Sequence, residues 1–86
     1  MTGVAARHAG DAQIAQTLDR GLQILELLAS SAEVLSTTEI AAAVDVHRTV
    51  AHRLLVTSER RDLVDRSRTG RYRLSAGVLR LGAGVR

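Results

Sequence analysis

The sequence has no cysteine, tryptophan or phenylalanine, and Tyr72 is its only aromatic residue. Without cysteine, the chain has no disulfide framework, no thiolate metal site and no cysteine nucleophile. The scarcity of aromatic residues argues against binding of single-stranded RNA or DNA, because such proteins usually stack bases on aromatic side chains. With 86 residues, the chain can form one small domain, which must be stabilised by helix packing or by self-association.

Long apolar segments are also missing. No apolar run approaches the roughly 20 residues of a membrane span, and the first residues lack the apolar stretch of a signal peptide. We therefore expect a cytoplasmic protein with no membrane partner. Residues 1–12 are small, polar and without periodicity, and we expect them to form a disordered N-terminal arm.

Lysine is absent as well, so all twelve basic residues are Arg, which suits bidentate contact with phosphate or guanine. Their distribution is uneven. Residues 1–46 hold two Arg and six acidic residues, a net charge of −4, whereas residues 47–86 hold ten Arg and three acidic residues, a net charge of +7. This asymmetry predicts a polyanionic partner for the second half of the chain.

A strongly helical segment covers residues 14–30, with Thr17 as a candidate N-cap. Ile24 and Leu27 widen its apolar arc to roughly 220°, more than one small core needs. The excess predicts a second burial partner, either a following domain or a symmetry mate; the latter gives a homodimer with Ile14, Ile24 and Leu27 at its interface. The stripe that we expect to face the core is formed by Ile14, Leu18, Leu22, Leu25, Leu28 and Ala29.

The next segments have the order of a helix-turn-helix. Ser36 and Glu39 fit a capping box at the start of a short helix that runs to about Val44. A turn follows over residues 45–47, and a second helix covers about residues 48–61, with Asp62 expected to end it. Spacing at i, i+3, i+4 and i+7 predicts the inner face of the second helix: Ala51, Leu54, Leu55 and Ser58.

Two short strands follow, at residues 63–66 and 71–74, joined by a turn in which Gly70 is available for positive φ. Ser75 can then cap a last helix over residues 76–83. This order predicts a mainly α fold with a small β-hairpin, a winged helix-turn-helix over residues 13–75. Together with the basic second half, that fold points to double-stranded DNA as the partner.

Candidate DNA contacts lie on three parts of this fold. The outer side of the second helix would enter the major groove, where Arg48 or Arg53 would pair with guanine or contact a phosphate. Hydroxyl residues at the start of the short helix lie where free N–H groups favour phosphate, although capping alone also explains them. Hairpin arginines would reach the minor groove or flanking phosphates, or remain solvated. The full set is Thr37, Thr38, His47, Arg48, Thr49, His52, Arg53, Arg66, Arg68 and Arg71.

Nothing in the sequence predicts an enzyme, a cofactor or a metal site. His47 and His52 are five residues apart and point in different directions on a helix. No carboxylate pair, Gly-rich phosphate loop or nucleophile–base arrangement is present.

Residues 17–28, 36–41, 47–55 and 70–74 resemble, in that order, the first helix, second helix, recognition helix and wing of the IclR family of bacterial transcriptional regulators. The resemblance covers residues 16–82 and rests on the order and spacing of these motifs. It implies a DNA-binding domain that reads a near-palindromic promoter site as a dimer, with repression as the family expectation.

Members of this family carry a larger C-terminal domain that binds a small-molecule effector. Residues 76–86 would then be the start of the linker helix to that domain, which is absent from this chain. The sequence departs from the family where Asp45 and Asp62 replace the usual Gly, Ser58 the usual Leu, and His52 a common aromatic residue. These departures bear on local stability and base preference.

Two other functions stay open on the sequence. A winged helix can serve as a protein-interaction module, although such modules often lack a basic recognition helix. The fragment can also bind DNA only non-specifically, with a strongly salt-dependent affinity, if dimerisation without the partner domain is too weak to read two half-sites together.

Overall fold

Helix α1 leads into a helix-turn-helix, which is followed by a β-hairpin and a last helix. The computed structural model describes residues 13–86, so the predicted arm of residues 1–12 lies outside it. The elements are α1 (Gln16–Ser30), α2 (Thr37–Val44), α3 (Arg48–Arg60), β1 (Val64–Arg66), β2 (Tyr72–Leu74) and α4 (Gly77–Ala83). The predicted fold class, mainly α with a small hairpin, is confirmed. Within residues 13–86, no helix is both long and apolar enough to cross a membrane.

The wing is an antiparallel hairpin that is anchored to the helices by its one aromatic residue. Val64 lies opposite Leu74 in its register, and Gly70 has a φ of 79° in the connecting turn. Tyr72 is buried, and its backbone exchanges two hydrogen bonds with Leu35, at 2.7 and 3.0 Å. This bridge, which periodicity did not predict, ties the α1–α2 connector to the wing.

One core joins the first three helices and the hairpin. Ala51 and Leu55 are fully buried on the inner side of α3, as their spacing predicts. Because every element except α4 contributes to this core, its packing fixes the outer side of α3 relative to α2. The main core cluster is Ile24, Leu28, Ile40, Val44, Leu55, Val64 and Tyr72.

The buried side of α1 overlaps only in part with the predicted one: Leu28 is buried and Leu25 packs against the core as predicted. Ile24 is only 1% exposed in the centre of the core, so its assignment to a dimer interface is wrong. Leu27 is half-buried and packs against the same core, whereas Leu18 and Leu22 are 63% and 49% exposed. The apolar arc of α1 is wide enough to place either side inward, and packing against α2 and the hairpin decides the choice.

The ends of α1 and α2 follow local sequence signals with one exception. The capping box of α2 is complete: Glu39 N–H donates to Ser36 Oγ at 3.1 Å, and Ser36 N–H donates to Glu39 Oε1 at 2.8 Å. Asp45 ends α2 in the left-handed region, with a φ of 56°. The exception is Thr17, which lies inside α1; the N-cap position is Ala15, with no side-chain cap.

A cluster of side chains that we call the α3–α4 joint connects the end of α3 to α4. Asp62 has a φ of 65°, and its carboxylate accepts from Ser75 Oγ at 3.2 Å and from Arg80 Nη2 at 2.5 Å. Ser75 Oγ also accepts from Gly77 N–H at 3.2 Å. The N-cap position of α4 is nevertheless Ala76, with no side-chain cap, and not Ser75 as predicted. Asp62, Ser75, Gly77 and Arg80 form the joint.

Candidate nucleic-acid interface

The N-terminal parts of α2 and α3 enclose an open depression on the protein surface. Its volume is about 410 Å³. The three-residue connection at residues 45–47 brings the two helices together, with the left-handed Asp45 turning the chain. Five of the ten predicted DNA-contact residues line this single depression: Thr37, Thr38, Arg48, Thr49 and His52.

The outer side of α3 continues this surface along the helix. Thr49, His52, Arg53 and Val56 are all exposed and follow the spacing i, i+3, i+4 and i+7, which places them on one side of a helix over two turns. Ala51 lies on the opposite side and is fully buried. The outer side is therefore held by a packed inner side, as a recognition surface requires.

His47 has a structural role that its residue type did not suggest. It is the N-cap of α3, and its Nδ1 accepts a hydrogen bond from Thr49 N–H at 3.0 Å. The imidazole thus supplies an acceptor that Ser, Thr, Asp or Asn usually provides at this position. Because Nδ1 is engaged, Nε2 is the ring nitrogen left for a contact beyond the helix.

At the start of α2, the hydroxyl groups divide between capping and exposure. Ser36 is occupied by the capping box, as predicted. Thr37 is half-buried and Thr38 is exposed, and both face the depression. The first N–H groups of a helix have no partner within it and favour an anion, so this end of the depression suits a phosphate group.

The three predicted wing arginines fall into two groups. Arg66 in β1 and Arg68 in the turn are exposed. Arg71 is half-buried, and its Nη1 donates to Glu39 Oε1 at 2.9 Å and to the Val34 carbonyl at 3.5 Å. Arg71 therefore ties the base of the wing to the cap of α2, a contact between residues too distant in the chain for any local pattern to reveal.

Sequence reasoning also left out one wing arginine. Arg73 is exposed on β2 and lies opposite Asp65 in the hairpin register. Side chains alternate along a strand, so Arg73 shares a face with Arg71, and this alternation was the available signal. Among residues 13–86, no three His, Asp or Glu side chains are grouped to hold a metal ion.

Two carboxylates of this region have altered acidity. The hydrogen bond from Ser36 N–H, assisted by the charge of Arg71 and opposed by desolvation, lowers the pKa of Glu39 below its ordinary value of 4.5. Hydrogen bonds from Arg80 and then Ser75 lower the pKa of Asp62 below its ordinary value of 3.8. Both groups therefore stabilise the fold in the ionised form.

We expect the domain to lose stability in acid and Glu39→Gln to remove part of that loss. Because the pKa of Glu39 is lower in the folded chain, its contribution is complete above 4.5 and is lost as the pH falls through the lower folded value. The urea concentration at half-unfolding, measured from about pH 6 to about pH 3, should fall less steeply with decreasing pH for Glu39→Gln than for the wild type. Glu26→Gln, on the exposed side of α1, is the control, and equal slopes for all three proteins would contradict the role of Glu39.

Comparison with known proteins agrees with this geometry. The family model described as the IclR helix-turn-helix domain matches residues 17–68. No curated protein sequence matches the chain. Among solved structures, the chain is similar to the repressor BlcR of Agobacterium tumefaciens, with 33% identity over 81% of this chain and 28% of that one, at a TM-score of 0.74.

Two further structures are similar. An IclR family transcriptional regulator from Brucella abortus is 29% identical over 94% of this chain and 32% of that one, at a TM-score of 0.78. An IclR transcriptional regulator from Alicyclobacillus acidocaldarius is 30% identical over 81% of this chain and 29% of that one, at a TM-score of 0.76. The chain thus spans less than a third of the length of each of these three proteins.

The matched residues contain α1 apart from its first residue, both helices of the helix-turn-helix and β1. They also contain every residue that lines the depression. Since the family model covers more than half of the chain, this protein belongs to the IclR helix-turn-helix family, the DNA-binding domains of IclR-type transcriptional regulators.

Proposed function

We propose that this domain reads a near-palindromic promoter site in duplex DNA as a homodimer and represses transcription. The observation that carries the proposal is the depression in which the N-termini of α2 and α3 meet beside Arg48 and His52. A helix-turn-helix places the N-terminal part of its second helix against base edges while its first helix crosses the backbone. The repression is supported by one structural neighbour, which is a repressor.

Each part of the surface has a proposed role. Arg48 and Arg53 pair with guanine in the major groove, and Thr49 and His52 contact neighbouring base edges or phosphates. The N-terminus of α2 binds a phosphate with Thr37 and Thr38. His47 contacts the backbone of the same DNA strand through its Nε2. Arg66 and Arg68 reach flanking phosphates or the minor groove. Arg71 neutralises Glu39 and offers the rest of its guanidinium group to a flanking phosphate.

The exposed side of α1 supports the dimer, with an interface that differs from the predicted one. Leu18 and Leu22 in α1, and Ile14 just before it, are each about half exposed or more. Leu18 and Leu22 also line an apolar groove of about 480 Å³ between α1 and the C-terminal part of α3. A contiguous apolar surface on a small domain marks an interaction site, and we propose that a second copy of the chain covers it.

Leu18→Asp should therefore abolish self-association. A carboxylate on this surface would lose its hydration on burial without gaining a partner, which costs several kcal/mol. Sedimentation velocity should detect a dimer for the wild type and a monomer for Leu18→Asp. Val56→Asp, at an exposed valine on the outer side of α3 away from this groove, is the control and should remain dimeric. A wild-type chain that sediments as a monomer at high concentration and still binds a half-site with full affinity would refute the dimer.

Residues 76–86, with α4 inside them, are proposed to begin the linker helix to a C-terminal domain. That domain would bind a small-molecule effector and adjust promoter occupancy, so the effector acts on this domain only through the linker. Residues 13–75 would form the DNA-binding unit, and residues 1–12 an N-terminal arm. Because bacterial promoter DNA lies in the cytoplasm, we propose that the protein acts there.

Selection of binding sites from a random duplex library tests the proposed function. At about 150 mM salt, non-specific binding is suppressed and enriched sequences report base reading. An inverted repeat supports a dimer on two half-sites about one helical turn, or a multiple of it, apart. A single half-site supports base reading by a monomer. No enrichment would refute sequence-specific reading and favour non-specific binding or a protein-interaction module.

A further inference from the structure

One residue on the outer side of α3 is chemically unlike its neighbours. Val56 is 39% exposed and lies on the same side of the helix as Thr49, His52 and Arg53, all of which are polar or charged. The proposed contacts to phosphate and guanine use the polar residues and leave Val56 without a role. An isolated exposed valine is ordinary on a protein surface, but Val56 lies among the residues proposed to face the bases.

That position is the last in a base-reading pattern. Recognition helices that lie along the major groove read bases through residues at i, i+3, i+4 and i+7, as the homeodomain helix does. Thr49, His52, Arg53 and Val56 have the same spacing. The buried Ala51 and Leu55 on the opposite side fix the rotation of α3 about its axis. A helix that presents Thr49 and Arg53 to the groove therefore presents Val56 as well.

The chemistry of valine selects one group among those on the base edges. In the major groove the four bases present hydrogen-bond donors and acceptors, and thymine alone adds an apolar group, its 5-methyl. A valine side chain gains from contact with that methyl and has nothing to offer a donor or acceptor. We propose that Val56 contacts the 5-methyl group of a thymine in each half-site and thereby selects thymine at that position; this rests on the proposed DNA reading by α3.

The chain supplies a matched control in Val50. It is the same residue type on the same helix, and its exposed fraction of 40% matches the 39% of Val56. Val50 lies seven residues before Thr57, which lines the apolar groove beside α1, so these two residues share a side of α3. Val50 is thus on the flank of the helix away from the depression.

The test uses the site that the wild-type chain enriches from the random duplex library. Each thymine of that site is replaced in turn by deoxyuridine, which removes only the 5-methyl group, and the Kd is measured for the wild type, Val56→Ala and Val50→Ala. For the wild type, a single deoxyuridine in place of the contacted thymine of one half-site should weaken binding by about fourfold, as expected for one buried methyl group. Val56→Ala should bind the two duplexes equally, whereas Val50→Ala should keep the fourfold difference.

Two outcomes would overturn the assignment while leaving the proposed function intact. In the first, no deoxyuridine replacement changes the affinity of the wild type for its selected site. In the second, a replacement does so, but Val56→Ala retains the same difference. If the library yields no enriched site, sequence-specific reading itself fails and the role of Val56 fails with it.

Discussion

Gly77→Ala should destabilise the domain by at least about 3 kcal/mol, at or beyond the upper end of what added volume in a packed site usually costs. An added Cβ at this position would lie 1.8 Å from the backbone oxygen of Asp62 and 2.8 Å from its carbonyl carbon. Neither atom belongs to a flexible side chain that can rotate away. The α3–α4 joint therefore has to open, and the hydrogen bonds from Ser75 and Arg80 to Asp62 would be lost with it.

Gly82→Ala is the matched control for this change. Gly82 lies in the same helix, and a Cβ built there meets no atom within 4 Å. Alanine is favoured over glycine in helices by up to about 1 kcal/mol, so this variant should be as stable as the wild type or slightly more so. Urea unfolding followed by circular dichroism measures both. Equal unfolding midpoints for the two variants would show that the α3–α4 joint accommodates the added methyl group with no loss of stability.

The difference between these two glycines lies outside the reach of sequence patterns. Asp62 was expected to end the second helix, and its departure from the usual Gly was visible in the sequence. Its carboxylate, however, contacts Ser75 and Arg80, which are 13 and 18 residues further along the chain. No periodicity links such positions. A left-handed Asp therefore does what a Gly cannot, because it also supplies a side chain that holds α4.

Local signals predicted the helix-turn-helix well for the opposite reason. The capping box of Ser36 and Glu39 is closed within four residues, and the inner side of α3 follows from spacing inside one helix. The depression was predictable because its residues lie on two consecutive helices joined by a short turn. The choice of side on α1, with Ile24 inward, depends on α2 and the hairpin and so was not.

Removal of Arg48 and Arg53 should have the largest effect on DNA binding. A bidentate contact with guanine contributes about 1–3 kcal/mol of discrimination, so the double variant Arg48→Ala and Arg53→Ala should weaken binding to the selected site by at least about 30-fold. The double variant Arg20→Ala and Arg86→Ala removes two charges as well, from positions that line neither the depression nor the apolar groove. It controls for the loss of general electrostatic attraction.

The two single variants separate base reading from phosphate contact. If Arg48 pairs with guanine, Arg48→Ala should relax the preference at one base pair of the site and leave the others unchanged. If it contacts a phosphate, binding should weaken uniformly for all sequences, and the slope of log K against log salt should become shallower by about 0.9. The same comparison applies to Arg53. If the double variant Arg48→Ala and Arg53→Ala has the same affinity and salt slope as the double variant Arg20→Ala and Arg86→Ala, α3 does not enter the groove and the proposed reading of DNA is wrong.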